Sequence, residues 1–230
     1  MITEHTGVAG MAITLAEEIM LLSLDDESGS AKQRQAAGWA VSGGILLELV
    51  LAGRVSVAGK YLELTDTTPT GDQLLDSRTA LIEIWLRGRS KRRVTEWLTK
   101  EQPKAVAAAL ESLCKRGVVV EEKHKAFGVF PIRRYPEADG AIEGELRDRL
   151  RAVVLDGAEP DTRTAGLIAL IHSAKLHALA FPDSQRKLVA ARMAEVATGQ
   201  WAAESVRATI RDMQAAMVAV TMVTFAAVGS

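Results

Sequence analysis

Residues 34–52 read RQAAGWAVSGGILLELVLA, and this stretch decides the fold. Trp39, Val41, Ile45, Leu46, Leu47, Leu49, Val50 and Leu51 make a helix over these residues apolar around much of its circumference, the pattern of a deeply buried helix. Gly53 follows where a helix C′ glycine belongs. Gly43-Gly44, inside the helix, belongs to no phosphate-cradling pattern and predicts close approach of another helix. Glu48 is the exception to the apolar run. A carboxylate there is costly unless paired, so it calls for a hydrogen bond or an arginine, with Arg54 at the helix end one candidate.

Around this centre the pattern is helix, hairpin, helix, hairpin, then helix throughout. Thr14-Leu-Ala-Glu17 is a capping box opening a short apolar helix that stops in the polar turn 25–29. Residues 54–57 and 60–64, joined by Ala58-Gly59, alternate with period two and predict a small hairpin. Helix resumes over 72–87, then short helices at about 94–99 and 103–116, ending at Gly117. Residues 118–135, VVVEEKHKAFGVFPIRRY, predict a second hairpin. Val118–Val120 form its first arm, the charged residues 121–125 its bend, and Phe127, Val129, Phe130 and Ile132 its second arm, before Arg133 and Arg134. Beyond Ile142, helical segments centre on 143–155, 161–179, 183–197 and 202–228. The fold class expected is mainly α: one compact helical domain over residues 1–230, an N-terminal tail to about residue 12, and two small β-hairpins.

Composition narrows the function classes. The chain has 230 residues, 48% hydrophobic and 25% charged, with a formal net charge of −1. That balance argues against a whole-protein polyanion binder, though not against a local basic face. The single cysteine, Cys114, has no second cysteine for a disulfide or a zinc site, so a cytosolic location is the default. The first twenty residues lack the basic and apolar regions of a signal peptide. The apolar stretch 215–228 is shorter than the roughly 20 residues a spanning helix needs, and reads as a central buried helix. A membrane, if one is met, is met from outside.

Catalytic signals are few. His172 and His177 lie five residues apart, a spacing that does not put them on one helix face, and no HExxH occurs, so no metal site is expected. Lys115 and Arg116 beside Cys114 are placed to lower its pKa, although a buried structural thiol is the plainer reading. No cofactor motif is present, and an enzymatic role has no residue constellation behind it. The cations are the better lead: Lys32 and Arg34, the run 87–93 (RGRSKRR), Lys104, Lys115, Arg116, Arg133 and Arg134. Beside an apolar hairpin, clustered Lys and Arg suit an anionic membrane surface. A solvated face is the bland alternative. Residues 90–135 also have the element order of a winged helix, a middle segment that binds DNA in some proteins. The would-be recognition helix offers Gln102 and Lys104 but otherwise mainly Ala and Val, so no nucleic-acid partner is expected.

Residues 15–26 (LAEEIMLLSLDD), 44–55 (GILLELVLAGRV), 69–76 (PTGDQLLD) and 113–118 (LCKRGV) occur in order, followed by the hairpin, 147–151 (RDRLR), Val154-Leu155 and 167–171 (LIALI). Together they resemble the Golgi phosphoprotein 3 family across nearly the whole chain, in wording closest to its bacterial members. The resemblance implies a mostly helical fold with the second helix central, and peripheral membrane binding through phosphatidylinositol 4-phosphate on the cytoplasmic side. It also implies an apolar hairpin that inserts in the bilayer or mediates self-association, carried here by residues 123–133. The family's headgroup pocket uses a Trp and three Arg. Counting along the matching motifs places these at Gln33, Ser42, Pro103 and Val106, none of which keeps the residue. Trp39, Lys32, Arg34, Ser42 and Lys104 are the candidates for an altered anionic site there. Losing three Arg removes bidentate phosphate clamps, so weak or less selective anionic-lipid binding is expected. The alternatives are a soluble homo-oligomeric scaffold built through the hairpin, and a winged-helix nucleic-acid binder.

Overall fold

The structure, a computed structural model, describes residues 13–24, 34–126, 130–138, 140–182, 184–199 and 204–228; within these, the side chains of 124–126, 130–132, 204–206 and 222–228 are not described. The elements run α1 (Leu15–Leu22), α2 (Arg34–Leu51), β1 (Val55–Ala58), β2 (Tyr61–Leu64), α3 (Gln73–Leu86), β3 (Arg92–Arg93) and α4 (Val94–Lys115). They continue with β4 (Glu122–Ala126), β5 (Phe130–Arg134), α5 (Ala141–Val154), α6 (Thr162–Ser173), α7 (His177–Ala180), α8 (Arg186–Thr198) and α9 (Glu204–Val228). The mainly α class is as expected.

Helix α2 is the centre of the fold. Residues 37–47 are all buried, and α1, α4, α6 and α9 pack around them. Gly43 and Gly44 make this possible. A Cβ at Gly44 would meet the backbone of α1 at 3.0 Å from the Ala16 nitrogen, and one at Gly43 would meet Leu170 of α6 at 2.8 Å and Met217 of α9 at 3.2 Å. Three neighbouring helices therefore crowd two consecutive residues of one helix, where a side chain would have to displace them.

The capping box at the start of α1 forms as expected. The Thr14 N–H donates to Glu17 Oε2 at 2.6 Å and the Glu17 N–H to Thr14 Oγ1 at 3.3 Å. The first hairpin also forms, as the pair β1–β2, with Gly59 at φ +58° in its two-residue turn. A third strand, β3, pairs Arg93 with Tyr61 and Arg92 with Leu62, making a three-stranded sheet. Two residues are too few for a period-two pattern to register.

Four expectations need correction. The short helices at 94–99 and 103–116 are one helix, α4, with Pro103 inside it. Proline removes one intrahelical bond, to the carbonyl of Thr99. Both Pro103 and Thr99 are exposed, where water replaces the missing donor. The turn that a helix-turn-helix requires is absent, and the winged-helix order of 90–135 goes with it. Second, most of the charged stretch 121–125 expected as the bend is strand, within β4. Third, α9 is not buried all round: Ile210, Met213, Met217 and Val220 form one covered stripe, while Val218 is 45% exposed. Fourth, the helix expected over 161–179 breaks into α6 and α7.

That break is a Schellman cap with an unusual occupant. The Leu176 N–H donates to the Ile171 carbonyl and the Lys175 N–H to the His172 carbonyl, both at 3.0 Å, with Lys175 at φ +58°. This left-handed position ordinarily takes glycine, and a β-carbon there costs roughly 1 kcal/mol. Lys175→Gly is therefore expected to raise the unfolding free energy by about 0.5–1 kcal/mol, measured by urea denaturation. A loss of stability would mean that contacts of the lysine side chain outweigh the backbone strain.

Candidate functional site

The second hairpin is longer than its sequence pattern predicts. Lys123 pairs with Arg133 and Ala126 with Phe130, and the same register continues inward through a Val119–Glu137 bridge. The Ala138 N–H donates to the Val118 carbonyl at 2.9 Å and the Val120 N–H to the Pro136 carbonyl at 3.0 Å. The ladder thus spans eight steps, about 26 Å at strand rise. Its root is in the core, where Val118 and Val119 are buried; Val120 is already 53% exposed. Beyond the root, β4 and β5 pack chiefly on each other among the described residues. The ribbon stands off the body. Glu122, Lys123 and Arg133 are exposed along its stem, and Arg133 pairs with Glu121 at 3.3 Å. Phe130 lies in the last pair of the ladder, eight steps from the Val118–Ala138 root. Phe127 and Val129 lie outside the described residues, as do the side chains of Phe130 and Ile132. Arg134, cross-strand from Glu122, is half-buried.

The headgroup candidates divide. Arg34, the first residue of α2, is exposed, and so is Lys104 on α4. They flank one helix–helix contact, in which Gln102 Nε2 donates to the Gln35 carbonyl at 3.4 Å and Gln102 presses on Gly38. Trp39 and Ser42 face inward. Trp39 is 6% exposed, and Ser42 is fully buried with its hydroxyl donating to the Trp39 carbonyl at 2.9 Å. Of the positions counted from the family pocket, Pro103 is exposed and Val106 is buried. Lys32 and Gln33 lie outside the described residues.

The run 87–93 forms an exposed loop from α3 into β3. Among the described residues no carboxylate pairs with Arg87, Arg89 or Arg93. Lys91 and Lys60 lie over the Tyr61 ring, at 5.0 and 5.6 Å from its centroid, and Arg92 over Trp85 at 4.7 Å. Ile84 and Leu81, on the turns of α3 just before the loop, are 54% and 37% exposed.

Sequence reasoning missed a buried charge network beneath these surfaces. Glu17, fully buried, accepts from Arg116 Nε at 2.9 Å, and Arg116 also pairs with Asp72, the N-cap of α3. Glu18 Oε1 accepts from Arg149 at 2.7 Å and Arg163 at 2.6 Å. Glu48 finds its partner in Arg163, at 3.2 Å, and not in Arg54, which pairs with Asp66. Its other oxygen accepts the Leu15 N–H at 2.5 Å, and Arg163 closes the set by donating to the Ile13 carbonyl at 2.6 Å. Burial pushes the Glu48 carboxyl above its ordinary pKa despite Arg163 and the Leu15 N–H. Glu48 in the apolar helix and the neighbouring glutamates in the apolar stretch 15–22 are the sequence signals for such a network.

Because Arg116 serves Glu17 and Asp72, and Lys115 pairs with Glu111 at 2.8 Å, neither activates Cys114. Burial, and then Glu121, push that thiol above its ordinary pKa, which makes it less nucleophilic. His172 and His177 do meet, with Nδ1 and Nε2 at 3.0 Å, because the chain reverses at Lys175. Burial lowers the pKa of both. No group of three or more His, Cys, Asp and Glu is arranged for a metal among the described residues, and no helix among them is long and apolar enough to cross a membrane.

The sequence matches the family model described as Golgi phosphoprotein 3 (GPP34) over residues 15–213, and the chain belongs to that family. It is similar to vacuolar protein sorting-associated protein 74 of Eremothecium gossypii, 26% identical over 168 residues, covering 62% of this chain and 49% of that protein. The protein of that name from Schizosaccharomyces pombe is 27% identical over 163 residues, covering 62% of this chain and 48% of the relative. The chain thus matches about half the length of these relatives.

Proposed function

We propose that this member of the Golgi phosphoprotein 3 family is a non-enzymatic peripheral membrane protein that docks on anionic lipid. The observation that carries the reading is the ribbon 118–138, rooted in the core, charged along its stem and reaching about 26 Å from its root. The sequence between and along its outer strands includes Phe127, Val129, Phe130 and Ile132, the residues suited to dip below the headgroups. Arg133 and Arg134 on the second strand, with Arg34, Lys32 and Lys104, supply attraction to the lipid charge. Relatives named for vacuolar protein sorting fit a protein that works at a membrane. With no Arg at the family's clamp positions, the headgroup site is unselective: phosphatidylinositol 4-phosphate gains little over other anionic lipids.

Liposome co-sedimentation tests this. The chain is expected to bind vesicles containing phosphatidylserine or phosphatidylinositol 4-phosphate and to leave neutral vesicles unbound. Phe127→Asp/Phe130→Asp is expected to lose at least about 100-fold in affinity, since burying each Phe is worth about 1.5–3 kcal/mol. Equal binding by variant and parent removes the ribbon from the mechanism. If parent and variant both ignore lipid, and only the variant is monomeric by light scattering, the ribbon is a self-association device instead.

A further inference from the structure

We propose that His172 and His177 form a two-imidazole chelate for a divalent transition metal of the copper(II) or nickel(II) type. The two nitrogens, His172 Nδ1 and His177 Nε2, are 3.0 Å apart, with the rings edge-on at 73°. With metal–nitrogen bonds of about 2.0–2.1 Å, such a pair subtends about 90–97° at an ion between them. That is the cis angle of a tetragonal plane, which Cu(II) and Ni(II) prefer. A tetrahedral zinc ion would need the nitrogens about 3.3–3.4 Å apart.

The protein brings these residues together against the helical spacing. The left-handed Lys175 folds α7 back on α6, and it is the one non-glycine residue with positive φ among those described. In the metal-free pair one ring donates its N–H to the other. Binding needs the donor ring to carry its proton on the outer nitrogen, a change of tautomer that releases no proton, and each ring to turn its lone pair off the line between them. Both rings are half-buried, so water completes the coordination. His172 lies in the last turn of α6, where the helix dipole favours a cation. Lys175 and Arg186 are charged neighbours that disfavour added positive charge at His177, and the two imidazole ligands select an ion with strong nitrogen affinity over magnesium or calcium.

Isothermal titration of the full chain with Ni(II) alone, in a His5→Gln/His124→Gln background that removes the other imidazoles, tests the site. One saturable site is expected, weakened at least about tenfold by either His172→Gln or His177→Gln. Ni(II) at a hundred times its dissociation constant is expected to raise the thermal midpoint by about 5–11 °C, reversibly with EDTA. The proposal is overturned if the background protein does not bind Ni(II). It is equally overturned if the double variant His172→Gln/His177→Gln, folded by circular dichroism, binds as tightly.

Discussion

Arg163→Ala is expected to lower the unfolding free energy by about 3 kcal/mol, and by more at pH 8 than at pH 5. Arg163 holds together the start of α1, the last turn of α2 and the start of α6, through Ile13, Glu18 and Glu48. Its removal leaves Glu18 with Arg149 but takes from Glu48 the cation that opposes its desolvation. Breaking a buried pair from one side costs more than the pair contributes, because the stranded charge stays behind. The pH dependence follows from the direction of the Glu48 shift. Its folded pKa lies above the ordinary value, so between the two the native state holds more protons than the unfolded state. Stability therefore falls as pH rises through that window. Without Arg163 the folded pKa rises further, the window widens upward, and the deficit grows with pH. Urea denaturation at pH 5 and pH 8 measures both effects. Glu48→Gln in the Arg163→Ala background is expected to recover part of the loss at pH 8 and little at pH 5. An unchanged midpoint at both pH values would mean the network contributes nothing to stability.

What was legible in the sequence follows from the range over which each signal acts. The centrality of α2 could be read because burial on all sides leaves apolar residues on all sides, and Gly43-Gly44 marked the close approaches directly. The Thr14–Glu17 capping box is likewise local. Glu48 announced that it needed a partner without naming one; Arg163 is 115 positions away, and only the packing of α6 on α2 delivers it. The His172–His177 contact was hidden because the left-handed turn between them uses a lysine where glycine would have signalled the reversal. The hairpin was placed correctly and its bend was not. Charge at 121–125 suggested a turn, whereas a projecting strand is wet on both faces and tolerates the same residues. In the candidate lipid site, Arg34 and Lys104 flank one contact, but Trp39 and Ser42 belong to the buried side of α2, which residue type alone did not reveal.

Replacing Arg87, Arg89, Lys91 and Arg93 together with glutamine is expected to weaken binding to phosphatidylserine vesicles about 30–100-fold at low salt, with the difference largely gone at 0.5 M salt. Each basic residue at an anionic surface is worth up to about 1 kcal/mol, and salt screens that attraction. The prediction depends on how the protein lies. The loop leads into the N-terminus of α4 and the ribbon leaves its C-terminus, and the 22 residues between span about 33 Å. With the ribbon upright, the loop would be several Debye lengths from the lipid, that length being about 8 Å at physiological salt, and its charge would not be felt. With α4 along the surface, both ends touch, and the exposed Lys100 and Lys104 lie on the helix between them. The exposed apolar pair Leu81 and Ile84 lies just before a loop in which Arg87, Arg89 and Arg93 have no carboxylate partner among the described residues, and this favours the second pose, since apolar groups near cations suit the headgroup boundary. Co-sedimentation across a salt series separates the two devices. The loop variant should lose a salt-sensitive part of the affinity, and Phe127→Asp/Phe130→Asp a part that persists at 0.5 M. Full affinity in the loop variant at low salt would put the loop away from the membrane and leave the ribbon as the contact, standing upright.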